Sequence, residues 1–170
     1  QYLDVKNEYR DYILMYRLGD FYEMFFDDAK TVSKELDLTL TGRSCGQEER
    51  APMCGVPYHS AEGYIGRLIA KGYKVAICEQ TEDPKAAVGL VKREVTRVIT
   101  RGTITDNTLL NEGKNNFLAS IHIEEKTSGI AFLDVSTGEF YLTQGNNEYI
   151  DKLLQSFNPS EVLCQRNKRK

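Results

Sequence analysis

The chain has 170 residues with 22 Lys and Arg against 25 Asp and Glu, and its formal net charge of −3 excludes a protein coated in positive charge for nucleic acid. Its 41% hydrophobic and 28% charged residues are ordinary for a globular protein that buries a real core. No apolar run is long enough to cross a bilayer, and the opening QYLDVKNEYRDY lacks a basic segment followed by an apolar one, so a cytoplasmic protein with no membrane partner is expected.

YILMYRL, residues 12–18, is rich in β-formers and runs into Gly19-Asp20, a turn signal, after which FYEMFF resumes the aromatic run. The expected order is strand, turn, strand. From Asp27 the period changes, with Ala29, Val32 and Leu36 on one helical face and two acids in the first turn at the positive end of the helix dipole. Residues 41–60, TGRSCGQEERAPMCGVPYHS, carry three glycines and two prolines and read as an ordered loop. Ser60 is placed to cap a helix through Tyr64, Ile65, Leu68 and Ile69 that Gly72 closes. YKVAIC then reads as a strand buried on both faces, and VKREVTRVIT as another.

Between Gly102 and Asn116 the chain turns polar, and a domain boundary is expected near residues 105–115. Beyond it FLASIHI, GIAFLDV and EFYLTQ read as an antiparallel meander. Ile150, Leu153, Leu154 and Phe157 form a helical stripe that Asn158-Pro159 ends, and EVLC begins a further strand. This second unit is small, so Phe132, Phe140 and Phe157 are expected on uncovered faces that favour self-association.

Charge is unevenly spread. Residues 20–28 contain Asp20, Glu23, Asp27 and Asp28 with no basic residue, whereas residues 85–101 contain Lys85, Lys92, Arg93, Arg97 and Arg101 against Glu94, so one surface can be basic although the whole is acidic. The cysteines, Cys45, Cys54, Cys78 and Cys164, include no C-x-x-C pair, and only Cys54 has a histidine near it, His59. They read as reduced thiols with neither metal nor disulfide.

The chain carries no G-x-x-x-x-G-K-[ST] loop for ATP and no G-x-G-x-x-G for a dinucleotide. Its two histidines, His59 and His122, adjoin no recognisable nucleophile. A metal-dependent nuclease is the enzyme alternative, through Asp106, Glu124-Glu125-Lys126 and Asp134, although Glu124 to Lys126 fall in an expected turn rather than inside a strand. Mg²⁺-dependent DNA cleavage would mark that reading, and a protein-interaction module would show no DNA behaviour at all.

If FYEMFF is a strand, Phe21, Glu23 and Phe25 share one face and Tyr22, Met24 and Phe26 the other. Phe21 and Glu23 then lie roughly 7 Å apart, close enough to engage one base pair together. A flat ring can wedge between base steps and a carboxyl beside it can bond a base edge. From pattern alone, Phe21 in a core and Glu23 in solvent is the leading reading.

YRLGDFYEMFFDDAK, APMCGVPYHSAEGYIGRLIAKGYKVAICEQTEDP and VKREVTRVITRGT, in that order, resemble the N-terminal mismatch-recognition domain of the MutS family. The likeness covers residues 1–112, and residues 113–170 resemble the start of the MutS connector domain. The resemblance implies an α/β fold, a mixed β-sheet flanked by helices followed by a partial ribonuclease H-like connector. It implies that Phe21 stacks on a mispaired base from the minor groove and that Glu23 hydrogen-bonds to it. It also implies backbone-contacting or supporting places for Arg43, Pro57, Tyr58, His59 and Arg93. Mismatched double-stranded DNA is the implied partner, with a homodimer and a MutL-type protein for the full-length molecule, in the bacterial cytosol at the nucleoid. No cofactor is implied for this segment, while ATP and Mg belong to a further ATPase domain. FLASIHI carries no acid before Glu124, so the connector is expected to couple rather than catalyse. Thr100-Arg101-Gly102-Thr103 stands where the family usually has T-P-G-T, a departure that bears on the linker's geometry.

Overall fold

The computed structural model describes residues 1–44, 50–82, 89–105, 110 and 113–168. Its contacts divide the chain into two compact units, Gln1–Ile99 and Thr100–Lys170. The first holds a six-stranded mixed sheet in the order β3-β4-β2-β1-β5-β6. Its strands are β1 (Ile13–Leu18), β2 (Phe21–Phe25), β3 (Thr41–Arg43), β4 (Ala51–Pro57), β5 (Val75–Gln80) and β6 (Arg93–Ile99). All neighbours run antiparallel except β1 and β5, which pair parallel with Ile13 opposite Val75.

Two helices, α2 (Phe26–Leu36) and α3 (Ala61–Ala70), pack on one face of this sheet. The apolar stripe Ala29, Val32 and Leu36 of α2 and Ile65, Leu68 and Ile69 of α3 are buried there, as the 3.6-residue period predicts. The opposite face is only partly covered. A short helix, α1 (Tyr2–Glu8), lays Tyr2, Val5 and the following Tyr9 over Leu14, Tyr16, Ala76 and Cys78. The Tyr2 ring meets Tyr16 and Phe25 edge-on at centroid distances of 5.4 and 4.9 Å.

Four features differ from the sequence expectation. Helix α1 was not anticipated, although Tyr2, Val5 and Tyr9 fall on one helical face. Residues 41–60 contain β3 and β4 rather than a loop; Pro52 and Pro57 sit near the ends of β4, where a missing N–H costs least. Phe26 does not continue β2: it adopts the left-handed conformation, φ 54°, and turns the chain into α2. That conformation costs an ordinary residue about 1–2 kcal/mol. Asp28, two residues on, offsets it by accepting hydrogen bonds from Leu14 N at 3.0 Å and Lys6 Nζ at 2.9 Å. Ser60 precedes α3 as expected, but its hydroxyl donates to Pro57 O instead of capping the helix.

The second unit is a sheet in the order β10-β7-β8-β9, from β7 (Phe117–His122), β8 (Ser128–Asp134), β9 (Phe140–Gly145) and β10 (Glu161–Cys164). The first three form the expected meander, and the chain returns through α4 (Asn147–Phe157) to place β10 parallel beside β7. This is the strand order expected at the start of a ribonuclease H-like fold. Helix α4 begins with Asn146 accepting from Tyr149 N and ends at left-handed Asn158. Phe132 is not uncovered: it is buried, with the Phe157 ring stacked on it at 4.2 Å. Phe140 does lie exposed, with Leu142 and Leu163, opposite α4.

The Thr100–Thr103 turn belongs structurally to this second unit. Glu161 accepts from Thr100 Oγ1 and from Gly102 N, and a Cβ at Gly102 would lie 2.9 Å from Leu118. Thr100 and Thr103 cap each other across the turn, with Arg101 at its first helical position. A proline fits that same position because its fixed φ suits a helix start, so the departure from T-P-G-T leaves the turn's bonds intact.

Asp134 closes the β8–β9 hairpin from inside. Buried, it accepts from Ser136 N and Oγ, Asn116 N and Thr137 N. Burial alone would raise its pKa, but these bonds, led by the Ser136 hydroxyl, hold the carboxyl below the usual aspartate value. A depressed folded pKa gives stability that is complete above the unfolded value of about 4 and is lost as pH falls through the folded value. Asp134→Ala is therefore expected to destabilise the second unit by about 2–3 kcal/mol at pH 7. In urea titrations at successively lower pH, the gap between variant and parent should close below pH ~4.

Candidate nucleic-acid interface

The site begins at the tight turn of the β1–β2 hairpin. Leu18 pairs with Phe21, so Gly19 and Asp20 alone form the loop, and Gly19 takes the positive φ of 58° that such a turn needs at its first position. Three contacts hold this turn. Tyr58 N donates to Asp20 O at 2.9 Å, Arg17 Nε donates to Gly19 O at 2.5 Å, and the Arg17 guanidinium lies 3.7 Å over the Tyr58 ring. Behind them Tyr22 OH donates to Glu79, which also faces Arg17 at 3.8 Å. Burial, and then the Glu79 carboxylate, push the Tyr22 hydroxyl up to about 12, so it remains a donor at neutral pH.

This network stands on the helix-covered side of β2. Phe21, Glu23 and Phe25 point to the other side, in register with Pro57, Gly55 and Met53 of β4. Their fates differ along one strand. Phe25 is buried beneath Tyr2, whereas Phe21, beyond the reach of α1, keeps 46% of its surface exposed. Glu23 lies between them and forms an ion pair with Arg43, Nη1 to Oε2 at 2.5 Å, in which Arg43 is half-exposed and Glu23 mostly covered.

Gly55 makes that geometry possible. A Cβ there would lie 3.3 Å from Tyr22 O, 3.5 Å from Glu23 Cγ and 3.8 Å from Phe21 Cδ1. Both side chains thus lean over a position that has none of its own. Gly55, Arg17 and Glu79 escaped the sequence reading, because each acts through a neighbour on another strand.

The remaining predicted residues are distributed as follows. Pro57 pairs with Phe21 at the end of β4, and Tyr58 and His59 form the next 3₁₀ turn with their rings edge-on. Arg93 is on β6, at the far edge of the sheet from Arg43. It donates to Arg17 O at 2.8 Å and Val91 O at 3.0 Å and lies over the Tyr16 ring, which makes it a brace between β6 and β1. The basic segment is largely neutralised: Lys92 pairs with Glu94 and Arg97 with Glu62, while Lys85 lies outside the described residues.

The nuclease alternative finds little in this geometry. Asp106 lies outside the described residues. Asp134 faces Phe117 while Glu124 and Glu125 follow His122, so they occupy opposite ends of the β7–β8 pair, roughly 17 Å apart. Among the described residues no group of three His, Cys, Asp or Glu side chains could hold a metal ion. Cys54 and Cys78 are free and buried, and burial pushes both thiols up to about 11; Cys164 is free and exposed, and Cys45 lies outside the described residues. No helix among the described residues is long and apolar enough to cross a membrane.

By fold this is a two-unit α/β protein with an exposed aromatic ring and a carboxylate side by side on the open part of a mixed sheet. Its sequence matches the family profile of MutS domain I over residues 1–108 and that of MutS domain II over residues 116–170, and the chain belongs to the MutS family. It is 57% identical over 165 residues to the DNA mismatch repair protein MutS of Lachnoclostridium phytofermentans and 58% identical over 168 residues to that of Acetivibrio thermocellus. Identity to the same protein of Clostridium tetani is 54% over 169 residues. These alignments cover 96–98% of this chain but only 18–19% of the relatives, so the chain spans about a fifth of their length.

Arg17 holds the turn through a carbonyl bond and a ring contact, and Arg17→Ala should cost about 1–2 kcal/mol. Hydrogen exchange should localise the loss, with faster exchange in a peptide spanning Leu18 to Glu23 and none in the α4 amides.

Proposed function

We propose that this chain reads mispaired or unpaired bases in duplex DNA, as part of a mismatch repair protein. In this reading Phe21 enters the minor groove and stacks on the disturbed base, and Glu23 accepts a hydrogen bond from it. The observation that carries the reading is the different fate of two phenylalanines on one strand face: the fold buries Phe25 and leaves Phe21 exposed beside a carboxylate on a rigid turn. Family membership, and the name carried by the relatives, support the same role.

Residues 1–112 form the mismatch-recognition domain in this reading, and residues 113–170 begin the connector that links it to the rest of the molecule. Arg43, Pro57, Tyr58, His59 and Arg93 serve the DNA backbone or brace the reader. The segment itself binds rather than catalyses. ATP and Mg act elsewhere in the full-length protein, which closes as a homodimer around mismatched double-stranded DNA and engages a MutL-type partner in the cytoplasm, at the nucleoid. With a net charge of −3, most of the phosphate grip comes from those other parts.

The test is fluorescence binding of G·T, single-base-bulge and matched duplexes by the full-length protein. Phe21→Ala should lose about 1–3 kcal/mol of mismatch binding, the value of an aromatic–base stack, and so fall toward the matched level. Equal mismatch selectivity in variant and parent would remove Phe21 from the reading. Glu23→Ala should act in the other direction. Its carboxylate is repelled by the groove's phosphates unless a disturbed pair offers a hydrogen bond, and matched DNA rarely offers one. The variant should bind matched duplex more tightly and narrow the mismatch-to-matched ratio; a loss confined to mismatch affinity would mean that Glu23 is only an attractive contact.

A further inference from the structure

Glu23 reaches Arg43 by an unusual route. Arg43 is on the edge strand β3 opposite Ala51 of β4, whereas Glu23 on β2 is opposite Gly55, so their backbones lie two strand spacings apart, roughly 9.5 Å, and are also staggered by roughly 13 Å along the strands. The long Arg43 side chain makes most of that span, while Gly55, directly opposite Glu23 in the β4 register, leaves room for the Glu23 stem to lean toward β4. The Glu23 carboxylate is held there in its 2.5 Å contact with the Arg43 guanidinium.

A carboxylate held there is not free to accept a bond from a base. Arg43 is half-exposed at the sheet edge, on the same face as Phe21, where a duplex seated on that ring brings its phosphates close. A guanidinium binds phosphate at least as well as carboxylate, through the same two-pronged geometry. Both anions compete for one cation.

We propose that Arg43 is a latch on Glu23, released by the DNA backbone: a phosphate takes over the Arg43 guanidinium, and the Glu23 carboxylate, freed from it, swings back over Gly55 toward the base held by Phe21. This rests on the base-reading role assigned to Phe21 and Glu23 and adds a specificity-determining residue to it. The exchange makes the carboxylate's charge conditional. With no DNA the charge is neutralised, which favours close approach to an anionic duplex. Once Arg43 moves to a phosphate, Glu23 stands uncompensated in the groove and only an unsatisfied base N–H can take it. Discrimination is imposed after contact rather than before it.

The sign of a double-mutant cycle decides the matter, measured in the full-length protein with matched and G·T duplexes across a salt series. Arg43→Gln should weaken binding to both duplexes and flatten the salt dependence by about one unit of slope, as expected for one lost phosphate contact. If the pair must break on binding, the parent has already spent part of Arg43's phosphate contact on opening it. Arg43→Gln should then weaken binding about two- to fivefold less in the parent than in a Glu23→Gln background, a factor set by the strength of a partly exposed ion pair. An equal effect in both backgrounds would show that the residues act independently, and a larger effect in the parent that the pair persists on DNA with Arg43 as a standing neutraliser. Either result overturns the latch. The base-reading role is judged separately by the mismatch-to-matched ratio of Phe21→Ala, while the coupling between Arg43 and Glu23 is read on any duplex.

Discussion

The carboxylate of Asp28 joins three elements that would otherwise have no common anchor. It takes the backbone N–H of Leu14 on β1 and the Lys6 ammonium on α1 while standing in the first turn of α2. A buried charge is costly unless fully paired, and here two donors and the positive end of a helix supply the pairing. Lys6 also donates to the carbonyls of Arg10 and Tyr12, which ties the end of α1 to the entry of β1. The position of α1 decides how much of the sheet's second face is covered. Pinned by Lys6 at one end and by the Tyr2 ring at the other, it closes over Tyr16 and Phe25 and stops short of Phe21.

The strand's alternation then separates a networked side from an open one. On the helix side of β2, Tyr22, Glu79, Arg17 and Tyr58 form a connected polar and aromatic network that fixes the hairpin turn. On the open side, Phe21 and Glu23 emerge from that braced backbone beside Gly55 of β4. The two-residue turn with its three contacts braces the backbone from which Phe21 emerges. The missing Cβ at Gly55 leaves space beside the Glu23 stem.

In the second unit Asp134 serves four donors, Ser136 N and Oγ, Thr137 N and Asn116 N, and Glu161 serves the Thr100–Thr103 turn. That turn also explains why the contacts divide the chain at Ile99 while the family profile of domain I runs on to residue 108. Gly102 is pressed against Leu118 and Glu161, so residues assigned by sequence to the first domain are held by the second.

Local order was legible in the sequence. Period-2 alternation, the Gly19-Asp20 turn, the stripes of α2, α3 and α4 and the meander from Phe117 to Gly145 are all encoded by neighbours within a few residues. The motif around Phe21 and Glu23 was legible too, but only as two readings, core or reader, until the sheet face was known to be open. Tyr2, Val5 and Tyr9 carried a helical stripe that signalled α1, yet nothing local said that it would cover Phe25 and spare Phe21. The strands β3 and β4 were hidden because glycine and proline weaken propensity, while pairing with β2 supplies the missing stability. Only the tertiary structure brought Arg43 to Glu23 across an intervening strand, set Gly55 beneath Phe21 and Glu23, stacked Arg17 on Tyr58 and paired Arg97 with Glu62. Those contacts join residues 20 to 41 positions apart, from Glu23 to Arg43 up to Arg17 and Tyr58, and local periodicity carries no information about which distant strand will lie alongside.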